Sequence, residues 1–375
     1  MNRILYFSRF APSLDRGGGT RRMLQILEVF KEIGSSLEIV SSVRGDWMSL
    51  VENKRLRKKI RKNANHTLFF RSSPARKWVE DHKLLVQRLH EFSVKWSVLM
   101  EAQDFNCPLV LMDDPIYFAP LFKTLIKQGI PVVAACQNLE SQTPGQAEKK
   151  WVNKLFEEEM ELLSQCSLVI TISREEDTLL RNLGIPTRLL PYYPVDPILK
   201  RLLLIREKRN VLPQDGILMV GNSKNIPTRE GMNSAIRHWE ENHLEQIAGK
   251  LIIGGFQCEK YLTCPSASPG IEFHGTLTHE ALDDFMCRVK GSLCYQPNGG
   301  GALTRICEML IAGVPVLASS HAARSYYDLP GLLEFSTLDH LGETLKQLEK
   351  GTEPIPLPQA PEISPLISDI QKILK

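Results

Sequence analysis

The sequence contains no CxxC pair and no cluster of histidine and cysteine at metal-ligand spacing. Its eight cysteines (Cys107, Cys136, Cys166, Cys258, Cys264, Cys287, Cys294 and Cys307) are scattered, several inside apolar runs such as LCYQP and TRICEML. That excludes a structural zinc site and a disulfide framework, and fits reduced core thiols in a reducing compartment. No apolar stretch reaches the roughly 18 residues that a membrane-spanning helix needs. The N-terminus, MNRILYFSRFAPSLD, lacks the long apolar region and small-residue cleavage site of a signal peptide. A net charge of +3 is too small to point to nucleic acid. A cytoplasmic protein is expected. The apolar fraction of 43% and charged fraction of 24% over 375 residues are those of a globular chain. At roughly 150 residues per domain, two domains are expected.

Short apolar strands alternate with helix-length segments. Strands are expected at Arg3–Ser8, Leu37–Ser42, Leu109–Met112, Val132–Ala135 and Leu168–Ile172. A second series runs Ile217–Val220, Lys250–Ile253, Ser292–Tyr295 and Val314–Ala318. Runs such as VVAA, LVITI and PVLAS are apolar without alternation, as in parallel sheets covered by helices on both faces. Helices are expected at about Thr20–Ile33, Pro74–Ala102 and from about Thr228, with a terminal helix over Ile363–Lys375. Between the series, Leu190–Gly216 carries four prolines and the charged run LKRLLLIREKR, and reads as a connector. Two α/β halves follow, with ligands expected at the carboxyl ends of strands, in the loops after Ser8, Ala135, Val220 and Tyr295.

The stretch Gln296–Ser319, QPNGGGALTRICEMLIAGVPVLAS, reads as loop, helix and buried strand. The glycines before Ala302 make a loop. A helix over about Ala302–Ala312 carries Leu303, Ile306, Cys307, Leu310 and Ile311 on one stripe, and Gly313 and Pro315 end it. Free N–H groups and the helix dipole favour an anion at its start. Arg305 and Glu308 stand three apart on one face. Arginine to phosphates and carboxylate to ribose hydroxyls would suit a nucleotide diphosphate. A capped core helix with a structural ion pair is the equally weighted alternative.

Other constellations carry less. Gly17–Gly19 precedes a helix, but it is no GxGxxG turn; it reads as a flexible loop beside an acceptor or phosphate, or as a plain loop-to-helix transition. In GNSKNIPTREG, Lys224 or Arg229 would reach a phosphate or stay as surface charge. Lys54–Lys62 holds seven cations in nine residues, fitting an anionic lipid surface or a phosphate-bearing acceptor, or a solvated loop. Most of Glu157–Glu159 and Glu161 should face solvent, and Glu175–Asp177 should form a charged first helical turn. Asp113–Asp114 reads as a strand-end turn in preference to a metal or sugar ligand pair.

The order of these pieces resembles retaining glycosyltransferases of the GT-B fold, specifically glycosyltransferase family 4 (group 1), over nearly the whole chain. The second half carries it best. ILMVGNSKNIPTREGMNSAIRHW looks like that family's strand–glycine segment. KLIIGGF and PGIEFHGTLTHEALDDFMCRVKGSLCYQP look like its next strand and the turn before the donor loop. GGGALTRICEMLIAGVPVLAS looks like its donor loop and helix. In the first half, Gly17–Gly19 and LVITISREEDTLLRNLGIP up to PYYPVD match by order.

The resemblance implies two Rossmann-like domains whose parallel sheets face across a cleft, an acceptor domain over 1–195 and a donor domain over 196–360. A C-terminal helix, 361–375, would return to the first. It implies transfer of a sugar from a nucleotide diphosphate sugar, UDP- or GDP-linked, to a glycan or lipid-linked acceptor in bacterial-type surface polysaccharide assembly. The reaction would retain configuration and need no metal or other cofactor. Lys54–Lys62 would dock the enzyme at the inner face of the membrane. The donor contacts it implies are Gly18, Gly19, Asn222, Lys224, the turn Gly275, Thr276 and Leu277 after His274, the loop Gly299, Gly300, Gly301, Ala302, Leu303 and Thr304, and Arg305 and Glu308. Gln137 and Asn138 stand where the family has a histidine, and with Arg305 they are the residues placed at the chemistry. Gly300 stands where the family's first glutamate is common, and Asn222 and Pro227 stand at the spacing of its usual Arg and Lys. These departures leave two rivals: a non-catalytic sugar-nucleotide-binding subunit, and a GT-B epimerase.

Overall fold

The computed structural model describes residues 3–10, 12–14, 17–41, 80–102, 107–143, 149–263, 268–351 and 354–375. Lys54–Lys62 and Cys264 lie outside them, as does the expected helix onset between Pro74 and Val79; that helix is described over Glu80–Ala102. The chain forms two compact units. One comprises the chain to Ser13, Gly19–Pro191 and Glu362–Lys375; the other comprises Leu14–Gly18 and Tyr192–Pro361.

The first unit is a six-stranded sheet with the order β2-β1-β3-β4-β5-β6. Its strands are β1 (Arg3–Ser8), β2 (Ser36–Ser41), β3 (Val110–Met112), β4 (Val132–Ala135), β5 (Leu168–Thr171) and β6 (Thr187–Leu189). Every pairing is parallel, with registers such as Leu5 to Val110 and Val133 to Leu168. Because β4 and β5 are buried on both faces, they need helices on both. One face packs Phe7, Trp96, Phe118 and Phe122 with the helices Glu80–Ala102 and Ala119–Lys127. The other packs Ile4, Tyr6, Met23, Ile26 and Phe30 with the helix Gly18–Glu32. The C-terminal helix Ser364–Ile373 lies on this second face. Leu366 and Ile370 are buried there, and Arg188 on β6 donates to Asp369 at 2.9 Å.

The second unit repeats the plan with the order β12-β11-β10-β7-β8-β9. Its strands are β7 (Ile217–Val220), β8 (Leu251–Gly254), β9 (Ile271–Gly275), β10 (Gly291–Cys294), β11 (Val316–Ser319) and β12 (Leu332–Phe335), again all parallel. The core is Met219, Trp239, Ile253, Leu293, Leu317 and Leu345. The strand order changes direction between β7 and β10, so a crevice opens beyond their carboxyl ends.

Three expectations need correction. The expected connector is mostly a helix, Asp196–Arg209, with Pro197 in its first turn, where a missing N–H costs nothing. Ile198, Leu202 and Ile205 form its buried stripe. Its cations are not all solvated charge. The Arg206 guanidinium donates to the carbonyls of Leu310, Ile311 and Ile355, each at 2.6 Å, and Arg209 reaches those of Met286, Val289 (2.8 Å) and Gly313 (3.1 Å). Apart from the Ile355 carbonyl, the acceptors of both arginines lie at or just past the ends of other helices. Second, Glu157 and Glu161 are exposed as expected, but Glu159 is buried and accepts from the N–H groups of Glu140 (2.9 Å) and Ser141 (3.0 Å). Third, β6, β9 and β12 were not expected as strands; all three are outermost in their sheets and only partly buried. Glu175–Asp177 does form a first helical turn, capped by Ser173, which accepts from the Glu176 N–H at 3.1 Å.

Candidate functional site

The second unit builds its site at the carboxyl ends of β7 and β10. After β7 the chain turns at Gly221, and the Asn222 side chain accepts the Lys224 N–H at 3.1 Å, leaving both side chains exposed. Asn225 then caps the helix Ile226–Glu241, accepting the Thr228 N–H at 3.1 Å. Gly231 brings that helix onto the segment after β10, since a Cβ there would sit 2.2 Å from the Tyr295 carbonyl oxygen. At Gly221 a Cβ would lie 3.4 Å from Arg305 Nη1, so the Arg305 guanidinium reaches over the end of β7.

The turn after β9 closes one side. Gly275 is left-handed (φ 66°), and Leu277 covers Gly254, where a Cβ would be 2.4 Å from Leu277 Cδ1. Thr276 accepts the Gln257 N–H at 3.0 Å and donates to Glu259. His274 pairs with Glu272 at 2.7 Å, and that contact holds the Glu272 carboxyl below its ordinary value.

The glycine loop after β10 is held from behind. Ser319, at the end of β11, accepts the Gln296 N–H at 3.2 Å and donates to the Gln296 carbonyl at 3.1 Å. Gly299 (φ 119°) and Gly301 (φ 67°) take conformations that side chains resist. Their carbonyls point to the short helix after β11: His321 Nε2 lies 3.0 Å from Gly299 O, and Arg324 donates to Gly300 O at 2.6 Å and Gly301 O at 2.8 Å. A trans peptide directs each following N–H the opposite way. The amides of Gly300 and Ala302 meet no acceptor among the described residues.

The helix begins at Thr304, later than expected, with Leu303 as its cap residue, and ends at Ile311. Ile306, Cys307, Met309, Leu310 and Ile311 are buried as its apolar face. Glu308 is 6% exposed, and its carboxylate accepts from the Tyr192 hydroxyl at 2.6 Å. Around the loop, three buried polar atoms have no hydrogen-bond partner among the described residues: Gln296 Oε1, Asn298 Oδ1 and Arg305 Nε. Unmet polar capacity this dense is what a bound polar ligand would satisfy.

Gln137 and Asn138 belong to the first unit, after β4. The Gln137 N–H donates to Asp114 at 2.9 Å, its side-chain Nε2 is buried without a partner among the described residues, and Asn138 donates to Thr143 at 3.0 Å. They border an ionic cluster at the ends of β1, β3 and β4. Arg9 contacts Asp114 at 3.0 Å and Glu140 at 2.8 Å. Burial pushes the Asp114 carboxyl well up, and the Arg9 charge works against that shift. Asp113 accepts from Tyr6 at 2.6 Å and from Ser8 at 2.5 Å. Asp113 and Asp114 form the bend at the end of β3 and are both buried in this cluster, with Asp114 at an unusual φ of 29°. Gly18 opens its helix, and Gly19 lies under the Phe10 ring.

Sequence reading missed Tyr192, His321 and Arg324. The signal was present for the last two: SSHAAR directly follows a buried strand, at the edge of the sheet where ligands bind.

No family model matches the sequence, and no curated protein matches it. Among solved structures, the chain is similar to sucrose-phosphate synthase from Thermosynechococcus elongatus, with a TM-score of 0.59 and 15% identity, over 100% of this chain and 94% of that one. It is similar to the catalytic domain of starch synthase IV from Arabidopsis thaliana, in a structure bound to ADP and acarbose, at 0.57 and 9%, over 100% of this chain and 98% of that domain. It is also similar to HepE from Anabaena, in complex with UDP and glucose, at 0.56 and 13%, over 100% and 95%. At these identities the likeness is one of fold: two Rossmann-like units of GT-B type, with the strand orders given above.

Proposed function

We propose that this chain is a glycosyltransferase that moves a sugar from a nucleotide diphosphate sugar to a glycan or lipid-linked acceptor. One observation carries the reading. The glycine loop turns its carbonyls to Arg324 and His321, so amides and the start of the helix Thr304–Ile311 form an anion cradle beside Arg305. Arg305, with its buried Nε unpartnered, takes the diphosphate. Glu308, held by Tyr192, takes ribose hydroxyls. The structures similar in fold support a nucleoside diphosphate donor, since two of them hold UDP or ADP.

In such a site the leaving diphosphate gains negative charge as the glycosidic bond breaks. Fixed amides and a guanidinium stabilise that charge without reorganising, which is how an enzyme of this kind works without a metal. Retention of configuration, a UDP or GDP donor, a role in bacterial-type surface polysaccharide assembly, and membrane docking through Lys54–Lys62 are parts of the same proposal. Gln137 and Asn138 are proposed at the acceptor side of the chemistry. A second reading, a sugar-nucleotide-binding subunit without catalysis, is favoured by Gly300 and Gln137 standing where the family it resembles has Glu and His.

Incubation of purified protein with a panel of sugar nucleotides separates the two. Release of nucleoside diphosphate, with transfer or hydrolysis of the sugar detected by mass spectrometry, is the expected result. Binding without any turnover across the panel would favour the subunit reading.

A further inference from the structure

We propose that Arg324 and His321 are positioning residues that hold the Gly299–Gly301 loop as a preformed anion cradle. The inference rests on the donor-site reading above and deepens it. Three consecutive glycines have no side chains to fix their backbone, and ordering each costs more entropy than ordering any other residue. A fixed shape here has to come from outside the loop. Arg324 supplies it with two parallel donors on adjacent carbonyls, Nε to Gly301 O at 2.8 Å and Nη2 to Gly300 O at 2.6 Å. Its Nη1 donates to the His321 carbonyl at 2.6 Å, so the fork is itself anchored. The chain turns directly after it, through left-handed Ser325 (φ 68°).

His321 Nε2 holds the third carbonyl, Gly299 O, at 3.0 Å. A carbonyl only accepts, so Nε2 carries the hydrogen in this contact. The sequence carries both residues in the motif SSHAAR, at the end of the next strand after the loop they shape.

The consequence is electrostatic as well as steric. A guanidinium drawing on a peptide carbonyl polarises that peptide, and its N–H becomes a stronger donor on the opposite side. Arg324 also places a full positive charge behind the loop. Both effects favour an anion in front of it. A lysine at 324 would keep the charge, but a single ammonium cannot reproduce the planar fork.

Two measurements test this together. Hydrogen exchange of the 297–303 segment, read without ligand, reports loop order; titration with UDP, GDP and ADP reports binding. Arg324→Lys is expected to speed exchange in that segment and weaken the bound nucleotide about tenfold, with the thermal midpoint nearly unchanged. His321→Leu should do the same to a lesser degree, and His321→Gln, which keeps an N–H donor, should restore wild-type behaviour. Unchanged exchange in Arg324→Lys and in His321→Leu overturns the brace. Faster exchange with unchanged nucleotide affinity overturns its role in binding. A wild-type protein that binds none of the three nucleotides, with exchange still responding to Arg324→Lys, overturns the donor-site reading and leaves the brace standing as a structural one.

Discussion

The Tyr192 hydroxyl donates to the Glu308 carboxylate at 2.6 Å, across 116 residues of sequence, and both side chains are buried. The bond fixes the carboxylate in the second turn of the helix Thr304–Ile311. Tyr192→Phe removes the donor and strands part of a buried charge, so the second unit should lose about 1–3 kcal/mol in urea unfolding. In a Glu308→Gln background the same change should cost less, because the charge is gone. Equal costs in both backgrounds would show that the carboxylate charge adds nothing to the bond.

Gly255 is locked by its surroundings. Its φ is 131°, and a Cβ there would lie 2.1 Å from the Gly221 carbonyl oxygen, where backbone meets backbone. Gly351 also has positive φ (92°) but nothing within 4 Å. Gly351→Ala should therefore cost only strain, about 1–2 kcal/mol. Gly255→Ala should cost well over about 3 kcal/mol or abolish soluble expression. Comparable thermal midpoints for the two variants would contradict the close approach of the two strand ends.

Much of this arrangement is legible in the residues. The strands VVAA, LVIT and VLAS are apolar on both faces, which only a central position in a covered parallel sheet explains, and they sit there. Edge strands β6, β9 and β12 carry weaker signals because one side of each is solvated; Thr187–Leu189 is partly exposed throughout. Density of charge misled at Asp196–Arg209, where Arg206 and Arg209 act on carbonyls far away in sequence. The glycine loop and Arg305 were legible as local pattern. Of the residues that hold the loop and Glu308, His321 and Arg324 leave only the positional signal of SSHAAR after a buried strand and Tyr192 leaves none, since each acts through a fold-dependent contact.

Glu159 gives a pH test. Burial pushes its carboxyl from 4.5 up to about 7, although Ser141 and the Glu140 N–H donate to it. A carboxyl raised in the fold binds more protons folded than unfolded. Its contribution to stability is therefore greatest below pH 4.5 and is lost as the pH rises to about 7. Glu159→Gln does not titrate. The variant should therefore gain on wild type, by up to about 3 kcal/mol, between about pH 5 and about pH 8 in urea unfolding. A difference independent of pH would contradict the raised value.

The central claim is that Glu308 and the loop before it hold a nucleoside diphosphate. Calorimetric titration of wild type and Glu308→Ala with UDP, GDP and ADP tests it directly. Wild type should bind at least one of them, and Glu308→Ala should bind that nucleotide at least about tenfold more weakly, through loss of hydrogen bonds to a charged group. Equal binding by the two proteins, or none by either, would contradict the account.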